Sequence, residues 1–201
     1  MCWVQGVQIA VYSNGRLIVD AAAGTRGDFD PRPMKVDTVV NCFSVTKGIA
    51  AACVHLLKQR CLLDYDDRVA QHWPEFGCNG KENITVRQLL SHSAGLHRIP
   101  GPATKLGELC DWDTMLKVVA EAKPGTTPGK VTRYHILSFG WLVGGLVQAI
   151  TKQHLRDFVR DNIAEPLALE VRETCKVVAR VETGGGDWRC LQPACLTVEC
   201  R

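Results

Sequence analysis

The sequence predicts an α+β fold in which the hairpin of an antiparallel sheet precedes a helical domain. Two β-rich runs, residues 6–12 and 16–23, flank Ser13-Asn14-Gly15, and an Asn-Gly pair between such runs is typical of a two-residue hairpin turn. Residues 25–36 are rich in glycine and proline and predict a loop. Helical patterns follow, and we expect a helical domain over about residues 60–165.

The helices are predicted from their caps and their apolar periodicity. Thr85 and Gln88 have the spacing of a capping box, and Gly95 is the expected stop of the helix that they begin. Three further helices are predicted at residues 112–122, 138–151 and 156–165. The first of these is amphipathic, whereas the second is apolar nearly all round and is therefore expected to be buried.

Ser44 and Lys47 form a Ser-x-x-Lys motif in the first turn of a predicted apolar helix, whose stripe includes Ile49, Cys53 and Leu57. Positions i and i+3 share a helix face, so the lysine amine reaches the serine oxygen from the next turn. The N-terminal amides and the dipole of the helix favour a developing oxyanion there. The pair predicts a serine nucleophile with a lysine base. The alternative is an N-cap serine beside a solvated lysine.

Two more segments follow this motif in a recognisable order. Residues 43–48 read FSVTKG, residues 84–96 read ITVRQLLSHSAGL, and residues 134–141 read YHILSFGW behind Pro124-Gly125. Together they resemble the serine beta-lactamase-related family, which includes class C beta-lactamases, penicillin-binding proteins, esterases and transesterases. The likeness covers about residues 4–170. Within that resemblance, residues 20–33 and 69–81 look most like the beta-lactamase-like domain of plant and algal ABC1-fused proteins, although the sequence contains no kinase signature.

The resemblance implies a beta-lactamase/transpeptidase-like fold and a serine hydrolase or acyltransferase that acts on an ester or amide without a cofactor. Ser44 would form the acyl-enzyme, and Lys47, assisted by Tyr134, would accept its proton. The family motif Tyr-x-Asn is here Tyr134-His135-Ile136, which retains the phenol and loses the amide. Ester hydrolysis or transesterification is therefore expected rather than β-lactam cleavage.

A third family motif, Lys-Thr-Gly or His-x-Gly on a strand, is not found in the sequence, and its closest counterpart is Glu182-Thr183-Gly184. Family members are about twice as long. We therefore expect an incomplete beta-lactamase-related domain over residues 1–170, without its C-terminal strands, and a divergent tail over residues 171–201. The incomplete sheet is expected to favour self-association. The alternative function is a truncated, catalytically inactive remnant or pseudoenzyme.

The composition is that of a globular protein, with 46% hydrophobic and 22% charged residues. A net charge of +3 without a basic stripe argues against a nucleic-acid partner. The most apolar run, residues 141–150, is too short to span a bilayer. The N-terminus lacks the pattern of a secretory signal, so we expect a cytoplasmic or organellar location, plastid stroma included, and reduced cysteines.

Two other chemistries are less well supported by the sequence. His92, His97 and His135 lack the spacing of a zinc site, and a metal site in the Cys-rich tail lacks a Cys-x-x-Cys pair. A Ser-His-Asp hydrolase is disfavoured because no Gly-x-Ser-x-Gly elbow occurs.

Overall fold

Three antiparallel strands begin the chain. The structure is a computed structural model that describes residues 4–40, 42–98, 109 and 111–169, which form two compact units over residues 4–40 and 42–169. The predicted tail over residues 171–201 lies outside the described residues. The combination of a small antiparallel sheet with helices confirms the predicted α+β class.

The first unit is a sheet with the strand order β1-β2-β3, where β1 is Gly6–Ser13, β2 is Arg16–Gly27 and β3 is Asp30–Pro33. The predicted hairpin is confirmed, because Ser13 pairs with Arg16 and the two turn residues have positive φ. The predicted loop over residues 25–36 is wrong in part. β2 continues to Gly27, and β3 pairs with its end through Thr25 and Pro33. Prolines are tolerated in β3 because it lies at the edge of the sheet.

The second unit is helical. Its helices are α1 (Thr46–Gln59), α2 (Val69–His72), α3 (Val86–Leu90), α4 (Trp112–Glu121), α5 (Ser138–Thr151) and α6 (Leu155–Val159), with short 3₁₀ turns at Phe43–Val45 and Pro74–Phe76. The predicted capping box, α4 and α5 are confirmed. The predicted helix over residues 156–165 is replaced by α6 and a π-helical turn at Arg160–Ala164. No helix in the described part of the chain has both the length and the apolarity needed to cross a membrane.

α5 is the central element of the core, packed between α1 and α4. Its glycines allow two tryptophan rings to approach the helix backbone. A Cβ atom at Gly144 would lie 2.5 Å from Trp112, and a Cβ atom at Gly145 would lie 2.5 Å from Trp73. Because real Cβ atoms do not come this close to a neighbour, the aromatic packing depends on both glycines.

The C-terminal end of α3 lies at a different residue from the predicted one. Ser91 is its C-cap, and His92, with φ of 58°, takes the left-handed position that was expected of Gly95. The N–H of His92 donates to Leu89 O at 3.2 Å, and the N–H of Ser93 donates to Gln88 O at 2.9 Å. These two bonds define a Schellman motif, so the helix stops three residues earlier than predicted.

Backbone carbonyls at the end of α4 accept side-chain hydrogen bonds from residues 78–81. The contacts join Cys78 Sγ to Ala120 O at 3.3 Å, Asn79 Nδ2 to Glu121 O at 2.8 Å, and Lys81 Nζ to Ala122 O at 2.6 Å. Lys81 is fully buried, and its amine also donates to Cys78 O at 2.8 Å. The segment therefore caps α4 with side chains from about 40 positions earlier in the chain.

Candidate active site

Ser44 lies in the 3₁₀ turn Phe43–Val45, which leads directly into α1. We expected it in the first turn of the α-helix, and the structure corrects this, because α1 begins at Thr46. Phe43 has φ of +44°, a left-handed conformation that is uncommon for a residue other than glycine. Such backbone conformations are concentrated at functional sites. The side chain of Ser44 is exposed at this turn.

Lys47 contacts both segments of the site. Its Nζ lies 3.1 Å from Ser44 Oγ, so the predicted i, i+3 contact is present even though Ser44 precedes the α-helix. The same amine donates to the backbone carbonyl of Ile136 at 2.8 Å and lies 4.8 Å from the centre of the Tyr134 ring. The Ile136 carbonyl was not among the predicted site groups, since a backbone atom leaves no signal in the residue type.

Tyr134 completes the group of predicted residues. Its hydroxyl lies close enough to the side chains of Ser44 and Lys47 for both to affect its ionisation. The contact with Ser44, followed by the contact with Lys47, lowers the pKa of Tyr134 because both stabilise the phenolate. About half of the Tyr134 side chain is exposed. The structure thus brings Ser44, Lys47 and Tyr134 into mutual contact.

The buried ring of His135 holds the segment that carries Tyr134. The N–H of Leu96 donates to His135 Nε2 at 3.0 Å, so the ring proton lies on Nδ1, which donates to Arg133 O at 2.7 Å. Ser138 Oγ donates to Leu96 O at 2.6 Å, so the start of α5 is bonded to the same residue as the His135 ring. Burial lowers the pKa of His135 to about 4, so the ring is neutral near pH 7.

His92, His97 and His135 contact one another and the backbone in the segments around the site. Both ring nitrogens of His135 are occupied by backbone groups, and the rings of His92 and His97 lie beside it at 5.4 and 6.3 Å between centres. Within the described ranges, no group of three His, Cys, Asp or Glu residues is arranged to hold a metal ion.

A small apolar cavity of about 130 Å³ lies next to Ser44 and Lys47. Its apolar walls are formed by Phe43, Ala50, Ile136, Leu137, Phe139 and Leu155. A carbonyl carbon placed at Ser44 Oγ would therefore have room for a short apolar substituent beside it. Ile136 lines this cavity, and it occupies the position of the asparagine in the Tyr-x-Asn motif that the sequence resembles.

Comparison with known proteins places the chain in a family. A model of the Beta-lactamase family matches residues 1–174. Esterase/beta-lactamase LipL of Mycobacterium tuberculosis is 40% identical over 162 residues, which cover 81% of this chain and 37% of LipL.

Solved structures give the same result. A penicillin-binding protein homologue from Caulobacter crescentus aligns with a TM-score of 0.76 and 33% identity, over 82% of this chain and 44% of that one. A family VIII carboxylesterase aligns with a TM-score of 0.75 and 34% identity, over 80% of this chain and 44% of that one. The chain spans less than half the length of each of these relatives. Because the family model covers most of its length, the chain belongs to the Beta-lactamase family.

Proposed function

We propose that the chain is a serine hydrolase or acyltransferase that forms an acyl-enzyme on Ser44. The observation that carries this proposal is the contact of Lys47 Nζ with Ser44 Oγ at 3.1 Å, with the Tyr134 ring centred 4.8 Å from the same amine. A nucleophile within hydrogen-bonding distance of a base, which a third group orients, is the arrangement that activates a serine hydroxyl.

The reaction begins from the form of the enzyme in which the Lys47 amine is neutral: Ser44 Oγ attacks the carbonyl carbon, and its proton passes to that amine. The tetrahedral intermediate then collapses, the bond from carbon to the leaving group breaks, and the leaving group takes up a proton from Lys47 through Tyr134. Water, or an acceptor alcohol, attacks the acyl-enzyme next. The proton of this nucleophile passes to Lys47, the bond from the carbonyl carbon to Ser44 Oγ breaks, and Lys47 gives the proton to Ser44 Oγ, which restores the serine hydroxyl and the neutral amine. The lowered pKa of Tyr134 suits a phenol that relays protons between these groups.

An ester with a short acyl group is the proposed substrate. The cavity beside Ser44 is apolar and, at about 130 Å³, smaller than the 300 Å³ or more that drug-sized ligands usually occupy. Ile136 offers no side-chain hydrogen bond to the amide group of a β-lactam substrate. The name of one relative, a family VIII carboxylesterase, also supports an ester substrate.

The test is to treat the 201-residue chain with a fluorophosphonate probe and to locate the adduct by peptide mass spectrometry. We expect a single adduct on Ser44, no labelling of Ser44→Ala, and normal labelling of Ser13→Ala, a matched control in the exposed hairpin turn. Hydrolysis of p-nitrophenyl esters should be faster for acetate and butyrate than for decanoate. A folded chain that is labelled elsewhere or not at all would contradict the proposal and favour the inactive remnant.

A further inference from the structure

His92 contacts the chain on both sides of Tyr134. Its backbone carbonyl accepts the N–H of Arg133 at 2.9 Å, and its Nδ1 accepts the N–H of His135 at 3.2 Å. Between these two bonds, the imidazole ring lies against the ring of Tyr134, with 4.8 Å between the ring centres and 57° between the planes. One residue thus fixes the backbone before Tyr134, the backbone after it, and one face of its ring.

The position of His92 is itself well determined. As the left-handed residue of the Schellman motif, it is held by the end of α3 through the bond from its N–H to Leu89 O. Its ring also packs on Phe139 of α5, with 4.9 Å between ring centres. His92 therefore connects Tyr134 to two helices of the core.

The bond from His135 requires that Nδ1 of His92 be unprotonated, so the ring proton belongs on Nε2. The titratable groups that face this ring are Lys47 from α1, with Tyr134 and His135 from the segment before α5. Burial, and next the positive charge of Lys47, lower the pKa of His92. Both effects favour the neutral ring that is needed for the hydrogen bond from the His135 N–H to His92 Nδ1.

We propose that His92 is a positioning residue, which holds the hydroxyl of Tyr134 at Ser44 and Lys47. The inference deepens the proposed function and rests on it. Tyr134 needs this support because it is about half exposed and its hydroxyl lies at an exposed serine. Without His92, the phenol would leave the hydrogen-bonding position in which it relays protons.

Two substitutions separate the hydrogen bond from the ring contact. His92→Phe retains an aromatic ring but places carbon where Nδ1 accepts the His135 N–H. His92→Asn places an amide oxygen at the same bond position as Nδ1, and asparagine tolerates the left-handed backbone better than most residues. We expect His92→Asn to preserve the position of Tyr134 better than His92→Phe does.

The first readout does not depend on catalysis. Ultraviolet difference titration, with Tyr134→Phe as the blank, follows the ionisation of the Tyr134 phenol alone. In the wild-type chain, its pKa should lie below the usual value of about 10. In His92→Phe it should rise toward that value, because the phenol loses its contacts with Ser44 and Lys47, and His92→Asn should stay close to wild type.

The second readout is the rate of fluorophosphonate labelling of Ser44. We expect His92→Phe to lower this rate at least about tenfold, because part of the acid–base assistance is lost. We expect His92→Asn to retain most of the wild-type rate. Thermal unfolding of each variant shows whether the fold is retained. If His92→Phe does not fold, ¹⁵N NMR of labelled histidines in the wild-type chain provides the test, with the proton of His92 expected on Nε2.

The outcomes separate this inference from the proposed function. Failure of the wild-type chain to label at Ser44 would overturn the proposed function, whereas the phenol titration would still test the position of Tyr134. Normal labelling of Ser44 in a folded His92→Phe, with the pKa of Tyr134 unchanged, would overturn the role of His92 alone. A His92 ring protonated on Nδ1 near pH 7 would also overturn it.

Discussion

The amine of Lys47 donates a 2.8 Å hydrogen bond to the backbone carbonyl of Ile136, 89 residues further along the chain. A main-chain atom provides this contact, so the side chain at position 136 does not take part in it. The Ile136 side chain is 65% exposed and lines the cavity beside Ser44. Position 136 can therefore change the substrate preference without disturbing Lys47.

Ile136→Asn should leave the free energy of unfolding within about 0.5 kcal/mol of wild type, because an exposed side chain is replaced. It should also increase acylation by a fluorescent penicillin, since the asparagine side chain can form a hydrogen bond with the amide side chain of the β-lactam. Leu137→Asn, at the neighbouring exposed position of the same cavity, is the matched control and should show no such gain. Loss of fluorophosphonate labelling in Ile136→Asn would show that the side chain supports the site.

Ser44→Ala and Lys47→Ala should each lower kcat for p-nitrophenyl acetate by at least about 10²-fold, and the double variant should be little worse than either. The reason is that the hydroxyl and the amine act as a unit, at 3.1 Å from each other. Steady-state kinetics of the three variants checks this. Effects that multiply in the double variant would mean that the two residues act independently.

His135 should make the fold sensitive to acid. Its pKa is lowered from 6.5 to about 4 by burial, so between these values the unfolded chain binds a proton that the native chain does not. The contribution of His135 to the free energy of unfolding is largest above about pH 6.5 and decreases as the pH falls toward 4, by about 3–4 kcal/mol in total. Urea unfolding at several pH values measures this change.

The matched pair for this measurement is His135→Gln and His55→Gln, the second at an exposed position of α1. His135→Gln should be less stable than wild type at neutral pH and less dependent on pH between 6.5 and 4. The variant at His55 should retain the wild-type dependence. Equal pH dependence in wild type and His135→Gln would assign the acid sensitivity to other groups.

Lys81→Met should lower the free energy of unfolding by about 2–4 kcal/mol, because the Cys78 and Ala122 carbonyls lose their donor inside the protein. Methionine fills a similar volume, so the loss of hydrogen bonds is the main effect. Lys123→Met, at an exposed lysine just beyond α4, should change stability by less than about 0.5 kcal/mol. Urea unfolding of the pair measures the difference, and equal stabilities would contradict the capping role.

We expect the chain to self-associate through its sheet. Val7, Ile9 and Val11 alternate along β1, Val11 pairs with Val19, and each of the four is at least 40% exposed. Ile9→Lys should shift the chain toward monomer in light scattering. Asp20→Lys, which places a lysine on the other face and changes the net charge even more, should not. A monodisperse wild-type monomer would contradict the prediction.

Local signals in the sequence were sufficient for much of the fold. The Asn14-Gly15 turn, the Thr85/Gln88 capping box and the continuous apolar pattern of Ser138–Thr151 each depend on neighbours in the chain, and each prediction is confirmed. The contact of Ser44 with Lys47 is also local, because it needs only the three-residue spacing of a helical turn. Tyr134 was predicted from family resemblance instead, since no local pattern connects it with Ser44.

The errors concern features that depend on distant partners. β3 was missed because Asp30–Pro33 has the composition of a loop and becomes a strand only by pairing with β2. His92 was missed as the helix stop because glycine is the usual left-handed residue, and the bonds of His92 to Arg133 and His135 leave no local signal in the sequence. No periodicity or spacing reports such contacts.

The cap of α4 by residues 78–81 also bears on how the chain folds. A peptide limited to α4 contains none of the donors that satisfy its last carbonyls, so we expect its C-terminal turn to fray in isolation. That turn becomes stable only after a loop has closed across some 40 residues, which is a slow and entropically costly step compared with helix formation. The end of α4 and the segment around Lys81 should therefore gain amide-exchange protection together, as one cooperative unit.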